Sequence, residues 1–285
     1  MLENKSTYIL ACDIGGTHIT SAIVTSDTWS IISETLVRKS VNSAQNAKSI
    51  FQSWTSALNE SLALFGAPIR QIGIAMPGPF DYETGISLMK GQDKYDSLYQ
   101  TNITDGLRSS LGDDTLQIRY INDAAAFLQG EIFATGRQDE QTILGITLGT
   151  GLGSAIWHHG SKAQDANLWN TPYKEAIFEE YLVTRWFTRR FEELSGHQEI
   201  GLKEIIDKHS QSDSLQVLLA EYRTQLYDFL QYFSTREGCQ HYIIGGNISK
   251  AWPLINSDHR FMDFAISIGV QEEKAALIGA ASLFK

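Results

Sequence analysis

One local pattern occurs twice in this 285-residue chain: an apolar strand, a glycine-rich turn and a returning strand. The copies are YILACDIGGTHITSAIV at 8–24 and TILGITLGTGLGSAIW at 142–157, and their Gly15 and Gly149 fall at matching points, 134 positions apart. A repeat at close to half the chain length predicts two related domains, each opening with a β-hairpin.

The segments between the hairpins alternate strand and helix. Apolar residues at helical spacing run through 43–66 and stop at Gly66, while IRQIGIAMPGP at 69–79 reads as a buried strand closed by a Pro/Gly turn. TLQIRYIND at 115–123 reads as a strand, followed by a helix over AAAFLQGEIFATG at 124–136. In the second half, Thr171-Pro172 can start a helix running to about Leu194, and a second amphipathic helix covers about 214–236. HYIIGGNIS at 241–249 reads as a strand entering a turn, and KAALIGAASLF at 274–284 as a closing helix. Such alternation is α/β grammar. The domain boundary is expected near Ile121–Asp123.

Composition removes several classes of function. The formal net charge is −10 and no Lys/Arg-rich run occurs, so the basic footprint of a nucleic-acid binder is missing. No apolar run approaches the roughly 18 residues of a membrane span, and the apolar stretch near the N-terminus is broken by Asp13 instead of ending in a cleavage site. A cytoplasmic protein is expected. Cys12 and Cys239 both lie in apolar, strand-like segments and read as buried thiols; two cysteines make neither a disulfide framework nor a Cys-rich zinc site. His158 and His159 are adjacent, which on a strand turns them to opposite faces, so they read as structural or surface residues and not as a metal pair.

The turns carry the chemistry. In Asp13-Ile14-Gly15-Gly16-Thr17 the glycines let the backbone approach a ligand closely, and successive amides with the Thr17 hydroxyl can donate to phosphate oxygens. Asp13 could hold the Mg²⁺ that neutralises those phosphates, or could serve only as a local acceptor in the turn. Leu148-Gly149-Thr150-Gly151-Leu152-Gly153 is followed by a strand and not a helix, and has G-x-G-x-G spacing, which excludes a dinucleotide fingerprint. No P-loop motif occurs. Facing each other across a cleft, two such hairpins could grip one polyphosphate from two sides.

That pair resembles the phosphate motifs of the hexokinase, actin and heat-shock chaperone superfamily, and Gly245-Gly246-Asn247-Ile248-Ser249 resembles its adenosine segment. Within the superfamily the chain is similar to the ROK family (repressors, uncharacterised frames, kinases). The matching pieces are DIGGTHITSAIV, IAMPGPFDYETGI, INDAAAFLQGE, ITLGTGLGSAI, IIGGNIS and LIGAASL, in family order over nearly the whole chain. The resemblance implies an α/β fold of two RNase H-like lobes, of the actin and hexokinase type, with a cleft between them: residues 1–121 plus 272–285, and residues 122–271. It implies an ATP-dependent sugar kinase with Mg²⁺ and ATP. Gly15, Gly16, Thr17, Gly149, Thr150, Gly151, Gly245 and Gly246 would bind ATP, and Asp13 would bind Mg²⁺. Asp123 would be the catalytic base, placed at a strand end where a carboxylate can accept a hydroxyl proton, although capping the following helix is an alternative role for it. Gly78, Asn122, Asp123 and Glu179 would line the sugar site.

The departures from the family pattern concern the sugar. The E-x-G-H motif and the Cys-rich zinc motif that ROK kinases usually carry are missing, so no zinc is expected. Glu179 aligns with the family's later sugar-contacting Glu, Glu180 competes with it, and either could instead pair with Arg185 on a solvated helix face. The usual N-x-x-x-W segment is replaced by GQDKYDSLYQTNITDGL at 91–107, from which Gln92, Asp93 or Lys94 could reach the sugar. The expected reaction is phosphoryl transfer to a hexose or N-acetylhexosamine hydroxyl, the 6-OH by resemblance, in a protein able to form a homodimer. The rival is a non-catalytic, sugar-responsive regulator; against it, DIGG begins at residue 13, which leaves no room for the usual N-terminal DNA-binding domain. A small-carboxylate kinase on the same fold is a third option.

Overall fold

The computed structural model describes residues 7–91 and 94–285. In chain order its main elements are β1 (Tyr8–Ile14), β2 (His18–Thr25), β3 (Val37–Ser40), α1 (Ala47–Phe65), β4 (Gln71–Met76), α2 (Ile103–Leu111), β5 (Gln117–Asn122), α3 (Asp123–Ala134), β6 (Thr142–Leu148), β7 (Leu152–His158), α4 (Thr184–Ser195), α5 (Leu202–His209), α6 (Asp213–Glu237), β8 (His241–Gly245), β9 (Ala265–Ile268) and α7 (Ala275–Ala281). They form two compact units: Met1–Asp139 with Lys162–Gln164 and Glu273–Lys285, and Glu140–Ser161 with Asp165–Glu272.

In the first unit the strand order is β3-β2-β1-β4-β5. β1, β2 and β3 are antiparallel, while β4 and β5 run parallel to β1. α1 covers one face with Ile50, Trp54 and Leu58, which recur every four residues and are fully or almost fully buried. The Asn46 side chain caps its first turn by accepting the Ser49 amide at 3.0 Å, and Gly66 ends it in the left-handed conformation, φ 77°. α7 and α3 cover the opposite side through glycine contacts. A Cβ at Gly73 would collide with the Ala280 carbonyl, one at Gly130 with that of Ala275, and one at Gly279 with that of Ala126. Two helices crossing this closely exclude any larger side chain at those points.

The same plan returns in the second unit, where β7-β6-β8-β9 repeats the order β2-β1-β4-β5. β6 and β7 are antiparallel, and β8 and β9 run parallel to β6. α6 fills the core with Leu215, Leu219, Tyr222, Leu226, Phe229 and Phe233. Its buried Arg223 is satisfied by the carbonyls of Leu254 and Ile255 and the Ser257 hydroxyl, each at 2.7–2.8 Å.

Three local expectations change. The units part between Asp139 and Glu140 and not near Ile121–Asp123, because the glycine contacts tie α3 to α7 in the first unit. No helix starts at Pro172: Pro172–Tyr173 pairs with Ala176–Ile177 in a small hairpin, with Lys174 at φ 50° in its turn. Only a helical turn at Glu179–Leu182 precedes α4, interrupted at Val183 by extended backbone. Cys12 is fully buried in β1, but Cys239 sits half-buried in the turn before β8. Among the described residues no helix is long and apolar enough to cross a membrane.

Candidate active site

The first hairpin is closed by the Gly15 amide donating to the His18 carbonyl at 2.9 Å. Its register, Asp13 opposite Thr20 and Ile14 opposite Ile19, leaves four residues in the turn. The buried Tyr95 hydroxyl donates to the Gly15 carbonyl at 2.6 Å, and burial pushes the phenol up to about 12, so it stays a donor at neutral pH. In a planar trans peptide the C=O and the next N–H point in opposite directions, so holding the Gly15 oxygen inward turns the Gly16 N–H outward. Thr17 Oγ1 lies 2.9 Å from His18 Nδ1, and Lys94 stands beside Gly16. Gln92 and Asp93 lie outside the described residues.

Asp13 is the penultimate residue of β1. Burial, and then the charge of Asp123, push its carboxyl up to about 7; Arg38 opposes this shift and Glu273 adds to it. Asp123 is the exposed first residue of α3. Its Oδ1 accepts the amide of the adjacent Ala124 at 2.8 Å. The cap of α3 is supplied by Asn122, whose Oδ1 accepts the amides of Ala124 and Ala125 at 2.9 and 3.1 Å. Asn122 is buried, and its Nδ2 reaches the Tyr82 hydroxyl at 3.3 Å. Tyr82 in turn donates to the Met76 carbonyl at 3.0 Å and stands next to Gly78. The first unit therefore brings Gly78, Tyr82 and Asn122 together at the ends of β4 and β5. Tyr82 and Tyr95 escape sequence reasoning, because a tyrosine in a loop carries no periodic signal.

The second hairpin turns in three residues, Gly149, Thr150 and Gly151, between paired Leu148 and Leu152. Its carbonyls are held from within its own unit. Gly149 O accepts both the amide and the hydroxyl of Thr184 at 2.9 Å, and Thr150 O accepts from Arg185 Nη1 at 3.3 Å. Glu179 takes the Leu152 amide on Oε2 at 2.9 Å and Arg185 on Oε1 at 2.9 Å, while Glu180 takes Arg185 at 2.7 Å. His158 Nδ1 pairs with Thr142 Oγ1 at 3.1 Å.

The glycines divide into two kinds. Gly246, at φ 88°, would drive a Cβ into the backbone of Leu148, so packing alone demands glycine there. None of Gly15, Gly16 and Gly149 lies in the left-handed region, and a Cβ on any of them would meet nothing closer than 3.5 Å. The fold does not require glycine at those three positions. Their exposed backbone leaves room for the close approach of a ligand. The half-buried Asp13, raised by burial and a second carboxylate, fits a divalent cation, which would relieve both effects. Among the described residues no group of three or more His, Cys, Asp or Glu side chains is placed to hold a metal ion.

The sequence profile of the ROK family matches residues 9–165. The chain belongs to the ROK family. A search of curated proteins finds no match. Among solved structures, a candidate sugar kinase from Cytophaga hutchinsonii is 20% identical with a TM-score of 0.79, covering 97% of this chain and 99% of the other. A ROK family glucokinase from Streptomyces griseus, in complex with glucose and AMPPNP, is 19% identical with a TM-score of 0.74, covering 98% of each chain. A glucokinase from Parabacteroides distasonis is 19% identical with a TM-score of 0.76, covering 100% of this chain and 98% of the other. These likenesses identify the fold of the ROK protein as α/β with two lobes of the actin and hexokinase type.

Proposed function

We propose that this ROK protein transfers the γ-phosphoryl group of Mg·ATP to a sugar hydroxyl, the 6-hydroxyl of a hexose or N-acetylhexosamine. The observation that carries the reading is the set of uncrowded glycines in both hairpins, whose neighbouring carbonyls are held back so that N–H groups face away. Gly16 and Thr17 in the first unit, and Thr150 and Gly151 in the second, offer amides to phosphate oxygens. Gly245 ends β8 and Gly246 follows it, where the adenosine would lie. Asp13 would hold the Mg²⁺, which supplies charge neutralisation to the phosphates when bound.

Asn122 caps α3 and so relieves Asp123 of that duty. Asp123 accepts the hydroxyl proton as the sugar oxygen bonds to the γ-phosphorus; the bond from that phosphorus to the β–γ bridging oxygen breaks and ADP leaves. Gly78 and the Tyr82–Asn122 pair shape the wall for the acceptor. Glucose in the Streptomyces griseus structure supports a sugar as that acceptor. The test is ATP consumption against a panel of hexoses, N-acetylhexosamines and small carboxylates, with ³¹P–¹H NMR of the product to locate the phosphate. Transfer to a sugar 6-hydroxyl is expected. Sugar binding without turnover would favour a regulator, and turnover only of a carboxylate would overturn the sugar assignment.

A further inference from the structure

We infer that Tyr82 is a positioning residue for the acceptor: it holds the side-chain amide of Asn122 in one orientation, with a single N–H left to meet a sugar hydroxyl. This rests on the kinase reading above. Met76 and Asn122 are the last residues of β4 and β5, and they stand opposite each other in the parallel ladder. Tyr82 joins these two strand ends: its hydroxyl donates to the Met76 carbonyl at 3.0 Å and accepts from Asn122 Nδ2 at 3.3 Å. Tyr82 is itself packed in place, with its ring 5.2 Å from that of Phe80 and its hydroxyl 3.4 Å from the Cβ position of Gly78.

The directions of these bonds follow from the groups themselves. A carbonyl only accepts, so the Tyr82 proton points at Met76 and the phenolic oxygen turns a lone pair to Asn122. The Asn122 oxygen accepts the Ala124 and Ala125 amides at 2.9 and 3.1 Å, which uses both of its lone pairs. Exchanging oxygen and nitrogen in this side chain would set N–H against N–H at the start of α3, so one orientation alone is allowed. The amide plane is therefore pinned at both ends, by the helix start on its oxygen and by Tyr82 on its nitrogen. One N–H of Nδ2 is committed to Tyr82, and among the described residues the other has no partner. Asn122 is only 7% exposed, and it immediately precedes Asp123, so this last donor has a fixed direction beside the proposed base. Without the Tyr82 hydroxyl the amide is held at its oxygen only, and the direction of its N–H groups is lost.

The test is steady-state kinetics of wild type, Tyr82→Phe, Asn122→Ser and the double variant, with whichever panel sugar wild type phosphorylates best. Serine can still cap α3 but offers no amide N–H. Tyr82→Phe should lower kcat/KM for the sugar about tenfold through KM, with kcat and the KM for ATP within about twofold of wild type. In the Asn122→Ser background the same change should move kcat/KM by less than about twofold, because Tyr82 acts through the amide. A tenfold loss in both backgrounds, an equal rise in the KM for ATP, or no loss in Tyr82→Phe would each overturn the inference. Exchange of the Asn122 side-chain NH₂ protons with solvent, followed by ¹⁵N NMR and assigned by their disappearance in Asn122→Ser, gives a readout apart from activity. It should be slow in wild type and about tenfold faster in Tyr82→Phe. If Tyr82→Phe does not melt cooperatively, wild type alone still decides: exchange as fast as that of exposed side-chain amides would overturn the inference. Wild type that phosphorylates no sugar would sink the kinase reading instead, while the exchange measurement would still judge the Tyr82 contact.

Discussion

The two glycine-rich hairpins come from one sequence pattern, yet they are built for different duties. The first carries Asp13 as the penultimate residue of its leading strand; the matching position of the second is Thr147. The first is held at Gly15 O by a single buried, uncharged phenol, and the second by a hydroxyl, an amide and a partly exposed ion cluster. The first unit also holds Asp123, whose charge acts on Asp13. Repetition of a strand–turn–strand unit therefore repeats the amide donors, while the carboxylates proposed to serve metal and proton are confined to the first unit. In the proposed reaction the first unit carries the chemistry and the second supplies grip.

The most severe way to break that division is Asp123→Asn. Turnover is expected to fall by roughly 10²–10⁴-fold, with ATP affinity and melting temperature nearly unchanged because Asn122 remains the cap. Near-normal turnover in steady-state assays would remove Asp123 from the chemistry. Next come Gly15→Val and Gly149→Val. Neither position has positive φ or a crowded Cβ, so both variants should fold, and each should weaken ATP binding about tenfold or more by calorimetry while sparing sugar affinity. Their double variant should lose little beyond the worse single one, since both hairpins are proposed to serve one ligand. Normal ATP binding by Gly149→Val would reduce the second hairpin to a turn and end the comparison.

The smallest expected effect separates the hairpins by charge. The Asp13 carboxyl, raised from its ordinary value to about 7, holds more protons folded than unfolded between about pH 4 and pH 7. Stability of the metal-free protein should therefore fall as pH rises through that window. Asp13→Asn removes the penalty, so its thermal melt should exceed that of wild type at pH 8, with the difference vanishing near pH 4. Added Mg²⁺ should narrow the gap at pH 8 by stabilising wild type alone. A difference independent of pH would show that Asp13 is not held against its own charge.

Much of this molecule follows from sequence alone, because its strongest signals are local. Apolar spacing through 43–66 and the stop at Gly66 mark α1 without reference to anything distant, although the Asn46 cap starts it four residues later. The duplicated turn reveals two related sheets, and Asp123 at a strand end is visible as a candidate base from its neighbours in the chain. What tertiary structure decided was which distant groups meet. Gly73, Gly130 and Gly279 read as ordinary small residues until carbonyls of Ala280, Ala275 and Ala126 are seen against them, and those contacts move α3 into the first unit. Pro172 reads as a helix start because proline fits a first turn, but pairing with Ile177 claims it for a hairpin. Glu179 and Glu180 compete as neighbours in the sequence, and only the structure shows the Glu179 carboxylate against both the Leu152 amide and Arg185. Periodicity and turn chemistry act over a few residues and are written in order along the chain; hydrogen-bond partners and close backbone contacts are set by three-dimensional proximity, which the order of residues does not display.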